Sequence, residues 1–179
     1  MLEYEVEIKE GAEVTLDGDK VTFKGAKGEL SREFSHPKIK VEKKDAKIVI
    51  KSEDEGKRVK SMMGTWRAHM NNMITGVTKG WTCSLKLVYA HFPVKLEQKD
   101  RHLLIKNFIG ARSDRTADVL EGVEMKLEGD TIKLSGADKE KVGQSAANIE
   151  HATKVRGYDR RIFQDGIYLS GKPVPMEGE

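Results

Sequence analysis

From Val14 to Thr153 the chain runs twice through one order of patterns, and this internal repeat restricts its fold more than any other feature. In the first pass Val14 and Leu16, then Val21 and Phe23, alternate on either side of Asp17-Gly18-Asp19. That is the signature of a β-hairpin with one buried face. A second hairpin follows, with Ile39 and Val41, a turn at Lys43-Lys44-Asp45, then Ile48 and Ile50. The period then lengthens. Val59, Met62, Met63, Trp66, Met70, Met73, Ile74 and Val77 fall three and four residues apart, which predicts an amphipathic helix whose methionines and Trp66 are core, with Gly80 as its stop.

The second pass reproduces the first with Val94 and Leu96, Leu103 and Ile105, then Met125 and Leu127 followed by Ile132 and Leu134 across Glu128-Gly129-Asp130. Val142, Ala146, Ile149 and either Ala152 or Thr153 supply its helical stripe, with Asp138 as the cap and Gly157 as the end. Matched positions are offset by 80 (Val14 and Val94), 84 (Ile48 and Ile132) and 83 (Val59 and Val142), so only loop lengths differ. The expectation is an α+β fold of two tandem duplicated domains, each an antiparallel β-sheet packed against one main helix, over 1–81 and 82–179. Trp81 falls at the junction, where it can seal the two repeats together.

Charge is the second constraint. The net charge is only +3, yet no acidic residue occurs between Glu55 and Glu97, a stretch in which the overall composition predicts roughly six to seven. The same window holds Lys57, Arg58, Lys60, Arg67, Lys79, Lys86 and Lys95. A surface that excludes carboxylates suits a polyanion, because Lys and Arg release condensed counterions when they meet phosphate. On the predicted helix, the face opposite the apolar stripe offers Lys60, Thr65, Arg67, Asn71 and Asn72, which serve either RNA contact or hydration.

Enzyme chemistry finds no footing. The five histidines, His36, His69, His91, His102 and His151, form no metal-binding spacing with one another or with Cys83, and no nucleophile elbow or phosphate loop occurs. We therefore expect no catalytic residue, no metal and no cofactor. A single cysteine excludes an intrachain disulfide, and there is no leading apolar segment and no run of about twenty apolar residues. These features point to a reducing, cytoplasmic setting without a membrane partner.

Particular segments carry a resemblance. Gly64-Thr65-Trp66-Arg67-Ala68, Asn71-Asn72-Met73-Ile74, Gly76-Val77 and Gly80-Trp81 resemble the end of the first domain of large-subunit ribosomal protein six. Gly136-Ala137-Asp138-Lys139 with Val142-Gly143-Gln144-Ser145-Ala146-Ala147-Asn148-Ile149 is similar to its C-terminal signature. The stretch from Arg156-Gly157-Tyr158-Asp159 to Tyr168-Leu169 resembles the archaeal and eukaryotic branch, and the likeness extends over almost the whole chain.

The resemblance implies a structural constituent of the large ribosomal subunit that binds large-subunit rRNA near the stalk base and the sarcin-ricin region. Neighbouring large-subunit and stalk-base proteins would be partners, with translational GTPases nearby. It also implies that most rRNA contact comes from the C-terminal domain and its end. There Lys154, Arg156, Arg160 and Arg161 put four cations within eight positions, with Asp159 as the only carboxylate. Guanidinium groups fork onto phosphate oxygens, Tyr158 can stack on an unpaired base, and Gly157 and Gly166 permit close backbone approach. Asp159 and Asp165 are expected to hold turns or pair with arginine. Lys172 in the tail, and Arg112 and Arg115 in the loop from Asn107 to Arg115, complete the expected RNA-binding set. The competing reading is a non-ribosomal two-domain module that binds RNA or protein.

Overall fold

A computed structural model describes residues 2–44, 47–159 and 161–176, and they form two compact units that divide between Gly80 and Trp81. In the first unit, β1 (Leu2–Glu7), β5 (Ile39–Lys44) and β6 (Lys47–Ser52) make an antiparallel sheet in the order β1-β6-β5, and β2 (Ala12–Asp17), β3 (Lys20–Gly25) and β4 (Gly28–Glu33) make a second in chain order. Helix α1 (Lys57–Thr78) follows and packs against β1, β3 and β4. In the second unit, β8 (Lys95–Lys99), β9 (His102–Lys106) and β10 (Arg115–Asp118) form one sheet. The other is built from β7 (Trp81–Val88), β11 (Val123–Glu128), β12 (Thr131–Gly136) and β13 (Gly166–Leu169) in the order β11-β12-β7-β13, with β14 (Val174–Pro175) also paired to β7. Helix α2 (Lys139–Ala152) packs on β7, β10, β12 and β13.

The α+β duplication is thus present, with two antiparallel sheets per unit where the hydrophobic pattern alone showed two hairpins. Alternation explains the register. Val14 faces Phe23 and Leu16 faces Val21 across β2 and β3, while Met125 faces Leu134 and Leu127 faces Ile132 across β11 and β12. Each of these four cross-strand pairs therefore places two apolar side chains on the same face. β5 and β6 pair as far as Lys44 and Lys47, and Asp45 of the expected turn lies outside the described residues.

The helical stripes become the cores. Met63, Met70, Ile74 and Val77 are fully buried with Phe23, Ile48 and Ile50 in the first unit, and Trp66 packs edge-on to Phe34 with ring centroids 5.4 Å apart. Met62 departs from expectation. It is 41% exposed, because a stripe wide enough to include both 62 and 63 exceeds the arc that the sheets cover. Trp81 belongs to the second core, under Lys139, whose ammonium lies 4.3 Å from its ring centre. Gly80 follows the end of α1 at φ +82°, and its N–H donates to the Thr75 carbonyl, the stop foreseen for it. Helix α2 starts at Asp138, whose side chain accepts from the Glu140 N–H, but it ends at Thr153 and not at Gly157. The Thr153 and Lys154 N–H groups close that turn on the Glu150 and His151 carbonyls, leaving Gly157 (φ +80°) to a later bend.

One glycine in the first core has no room for a side chain. A Cβ at Gly25 would stand 2.5 Å from the Val77 carbonyl oxygen and 3.1 Å from that of Gly11. Since Val77 is the last buried residue of α1, Gly25→Ala must push the helix end away from β3. We expect a loss of about 2–3 kcal/mol in urea unfolding, whereas Gly64→Ala, inside α1 where the space is open, should gain up to about 1 kcal/mol from helix propensity.

Candidate nucleic-acid interface

Three loops meet at the Val88 end of β7, and the sequence dictates how each is tied. The first, 89–94, leaves β7 and passes the C-terminal segment, where the Ala90 N–H donates to Asp165 Oδ1 at 3.2 Å. Asp165 is almost fully buried, so this carboxylate serves as a strut and not as a surface charge. The second loop leaves β9, and Asn107 Nδ2 donates across to the Pro93 carbonyl at 3.1 Å. It then turns sharply, with Asn107 (φ 58°), Ile109 (φ 53°) and Gly110 (φ 69°) all left-handed. For a β-branched residue this conformation costs about 1–2 kcal/mol, so the turn depends on an anchor. The anchor is Phe108, which is fully buried, and the Phe92 ring lies against Gly110, where a Cβ would be 3.0 Å away.

The third segment runs from the end of α2 to β13. Thr153, also buried, accepts the Ile167 N–H at 2.9 Å and donates to the Glu150 carbonyl at 3.1 Å, which joins the helix end to the start of β13. Between them, Asp159 Oδ1 accepts the Arg161 N–H at 2.9 Å and the Asp159 carbonyl accepts from Ile162 and Phe163, a tight turn that projects Arg161 outward. Tyr158 and Phe163 pack with ring centroids 4.8 Å apart. Both aspartates therefore hold backbone, as the sequence reading favoured.

Arg115 has a structural assignment as well as a charge. Its guanidinium donates to the Ala152 carbonyl at 2.9 Å and to the Lys154 carbonyl at 3.3 Å, and it lies 4.5 Å from the centre of the Phe108 ring. It thus satisfies the carbonyl end of α2 and fixes the second loop to the third. Gly166 is likewise required from within, because the Tyr168 ring lies 3.1 Å from where its Cβ would be. This replaces the expected role of Gly166 as a place for RNA backbone to approach, since the space is filled by the protein's own side chain.

Several cations on the strands and in the turns are paired, with Lys24 to Glu29, Lys47 to Glu5, Lys51 to Glu42, Lys106 to Glu97, Lys133 to Glu128 and Arg101 to Glu121, at distances from 2.6 to 3.3 Å. Around the three loops, Arg112, Lys154, Arg156 and Arg161 are all exposed, and none of their side chains makes an ion pair or hydrogen bond among the described residues. Arg160 lies outside the described residues.

Lys172 stands apart from this group. Gly171 accepts from Cys83 Sγ and Val174 pairs with Thr82, so Lys172 sits about five residues, or roughly 16 Å, along β7 from the loop cluster. The α1 residues belong to the other unit. Lys60, Arg67 and Asn71 are exposed and Asn72 is half-buried, with Arg67 5.8 Å from the Tyr4 ring and Asn71 Nδ2 bonded to the Arg67 carbonyl at 3.0 Å. Helix α1 has no acidic residue in its first turn, where Lys57, Arg58 and Lys60 oppose the helix dipole.

Sequence reasoning missed the aromatic part of the loop end. Tyr89, Phe92 and Tyr168 are all substantially exposed alongside Tyr158, as is the aliphatic Ile162. A signal did exist, since the acid-free window runs through 89–94 and not only through α1. Exposed aromatic rings among unpaired guanidinium groups are the elements with which proteins grip single-stranded and looped RNA. Among the described residues no group of histidine, cysteine or carboxylate side chains is placed to hold a metal ion, and no helix is long and apolar enough to cross a membrane.

Comparison with known proteins identifies relatives of the whole chain. The large ribosomal subunit protein uL6 of Methanothrix thermoacetophila is 46% identical over 167 residues, covering 93% of this chain and 95% of its own length. Those of Methanosarcina mazei and Methanobrevibacter smithii are each 44% identical, over 93% and 94% of this chain and 95% and 94% of their own lengths. The family model described as ribosomal protein L6 matches residues 8–80 and 93–166, one stretch in each of the two units. By this twofold match and these full-length likenesses, the chain belongs to the ribosomal protein L6 family.

Proposed function

We propose that this chain, a structural protein of the large subunit of the cytoplasmic ribosome and not an enzyme, grips large-subunit rRNA with the three-loop end of its second unit. Arg112, Lys154, Arg156, Arg160 and Arg161 meet phosphates, Tyr158 stacks or lies on a sugar, and Arg115 holds the loops in register while adding its charge. The exposed face of α1, with Lys60, Arg67, Asn71 and Asn72, and the separate Lys172 make secondary contacts. The site on the subunit is the stalk base and sarcin-ricin region, where the protein supports the RNA and the neighbouring proteins at which translational GTPases dock. Family membership removes the case for a non-ribosomal module.

One observation carries the reading. At the loop end Arg112, Lys154, Arg156 and Arg161 are exposed and make no ion pair among the described residues, while Asp165, Asn107 and Arg115 tie the three loops that carry them to one another. Unpaired charge on a rigid scaffold is preorganised for an external anion. If about six phosphates are neutralised, binding of the intact chain to large-subunit rRNA must weaken by about three orders of magnitude between 50 and 200 mM salt. A filter-binding titration at four salt concentrations measures that slope, and a nearly flat line sinks the proposal. Truncation after Ala152 is a poor substitute, since it also strips β13 and the buried Val155, Ile167 and Asp165 from the second unit.

A further inference from the structure

A cavity of about 310 Å³ opens beside the C-terminal end of α2, lined by Glu150, His151, Thr153, Lys154, Phe163 and Tyr168 among others. We propose that it receives one unstacked guanine base of the bound RNA, an assignment that rests on the reading of this end of the unit as the rRNA contact. Its volume is at the small end of the ~300–1,000 Å³ typical of small-molecule sites, which suits a single base and not a run of nucleotides. The floor is apolar, formed by the buried Val155 and Ile167, and the Phe163 and Tyr168 rings supply flat faces for stacking. Lys154 stands exposed at the rim, where it can meet the phosphate of the same nucleotide.

Glu150 is the residue that phosphate binding alone does not explain. It is half-buried, lines the cavity, and its carboxylate has no hydrogen bond or ion pair among the described residues. A carboxylate repels phosphate, so its place within a cationic end suits a base edge that is purely donating. The Watson–Crick edge of guanine offers N1–H and N2–H side by side, and a carboxylate accepts both at once. Adenine and cytosine each set one amino donor beside a ring acceptor, and uracil flanks a single N–H with two carbonyls. Those three bases leave one carboxylate oxygen facing an acceptor, a repulsive contact that builds discrimination. Thr153 does not compete for the base, because its hydroxyl is already engaged by Ile167 and Glu150 backbone groups.

The test uses the full chain and the pentaribonucleotides UUGUU, UUAUU, UUUUU and UUIUU, where inosine keeps N1–H but lacks the N2 amino group. Affinity is read by fluorescence anisotropy, and the contact is mapped by amide chemical shifts. UUGUU is expected to bind about tenfold more tightly than UUAUU and UUUUU, with the inosine oligomer between, and to shift the amides of Glu150 to Val155 and Phe163 to Tyr168. Glu150→Gln is expected to bring the guanine and adenine oligomers within twofold of each other. Equal affinities for all four oligomers, a guanine preference that survives Glu150→Gln, or shifts confined to other residues would each overturn the assignment. The parent reading has its own arm, because loss of binding to intact large-subunit rRNA sinks that reading, whereas base-indifferent binding sinks only the guanine pocket.

Discussion

Glutamine at Lys154, Arg156 and Arg161 together is expected to remove this protein from large subunits in a sucrose gradient while leaving its fold intact. The three side chains have no partner among the described residues, so the substitutions break no internal bond, and stability should change by no more than about 0.5 kcal/mol. Their loss from the interface is another matter. Each phosphate contact contributes about one unit to the slope of log affinity against log salt, so the slope should fall by about three. At 100 mM salt the corresponding loss in rRNA affinity is on the order of 10²–10³-fold. Neutralising Lys47, Lys133 and Arg101 in the same way provides the control, since each of these cations is already paired with a glutamate. If the control triple is released and the loop triple is retained, the unpaired cations are not the anchor.

Phe108→Ala should be the most destabilising single change near the site, at about 3–5 kcal/mol in urea unfolding. The ring is fully buried in the second core, and its removal leaves a cavity beneath a turn that already holds Ile109 in the left-handed region. That strain persists only while the surroundings over-determine it. Without the ring, Arg115 loses the aromatic face 4.5 Å from its guanidinium, and with it part of what holds it to the Ala152 and Lys154 carbonyls. The effect should therefore reach RNA binding as well, although Phe108 itself is inaccessible. Hydrogen exchange should speed up at Gly110 and Ala111, whose N–H groups are bonded within this turn. A cost below about 1.5 kcal/mol would mean that the turn is held by something other than the ring.

Much of the architecture was legible because hydrophobic period is a strong signal over long segments. The helices, the two hairpins of each repeat and the offsets of 80 to 84 residues all follow from where the apolar residues fall. The strands that escaped have particular reasons. In β7, Trp81, Cys83, Leu85 and Leu87 all enter the core, alternating with less buried residues, but the expected junction between repeats fell on them and hid the pattern. β4 and β10 carry one or two inward residues each, too few to establish a period. β13 has four residues and takes its place from tertiary pairing with β7, which no local pattern encodes.

The candidate site showed in the sequence as charge but not as geometry. Cation density picked out Lys154, Arg156 and Arg161, yet nothing in the sequence distinguishes Arg115, bonded to the end of α2, from Arg112, three residues earlier and exposed without a partner among the described residues. Glycine was ambiguous for a similar reason. Gly166 makes room for Tyr168 and Gly110 for Phe92, so the neighbours that require them are the protein's own aromatic rings. The exposed rings of Tyr89 and Phe92 become part of one surface only when Asp165 and Asn107 tie their loop to the other two.

The most direct test is a modification footprint, in which lysines and arginines of the free protein and of purified large subunits are acylated or treated with a dicarbonyl and the extents compared residue by residue. Protection in the subunit at Lys154, Arg156, Arg161 and Arg112, with Lys47 and Lys133 as reactive as in the free chain, is the predicted outcome. Equal reactivity of Lys154, Arg156 and Arg161 in the two samples would contradict the account, for it would leave the loop end of the second unit facing solvent inside the assembled ribosome.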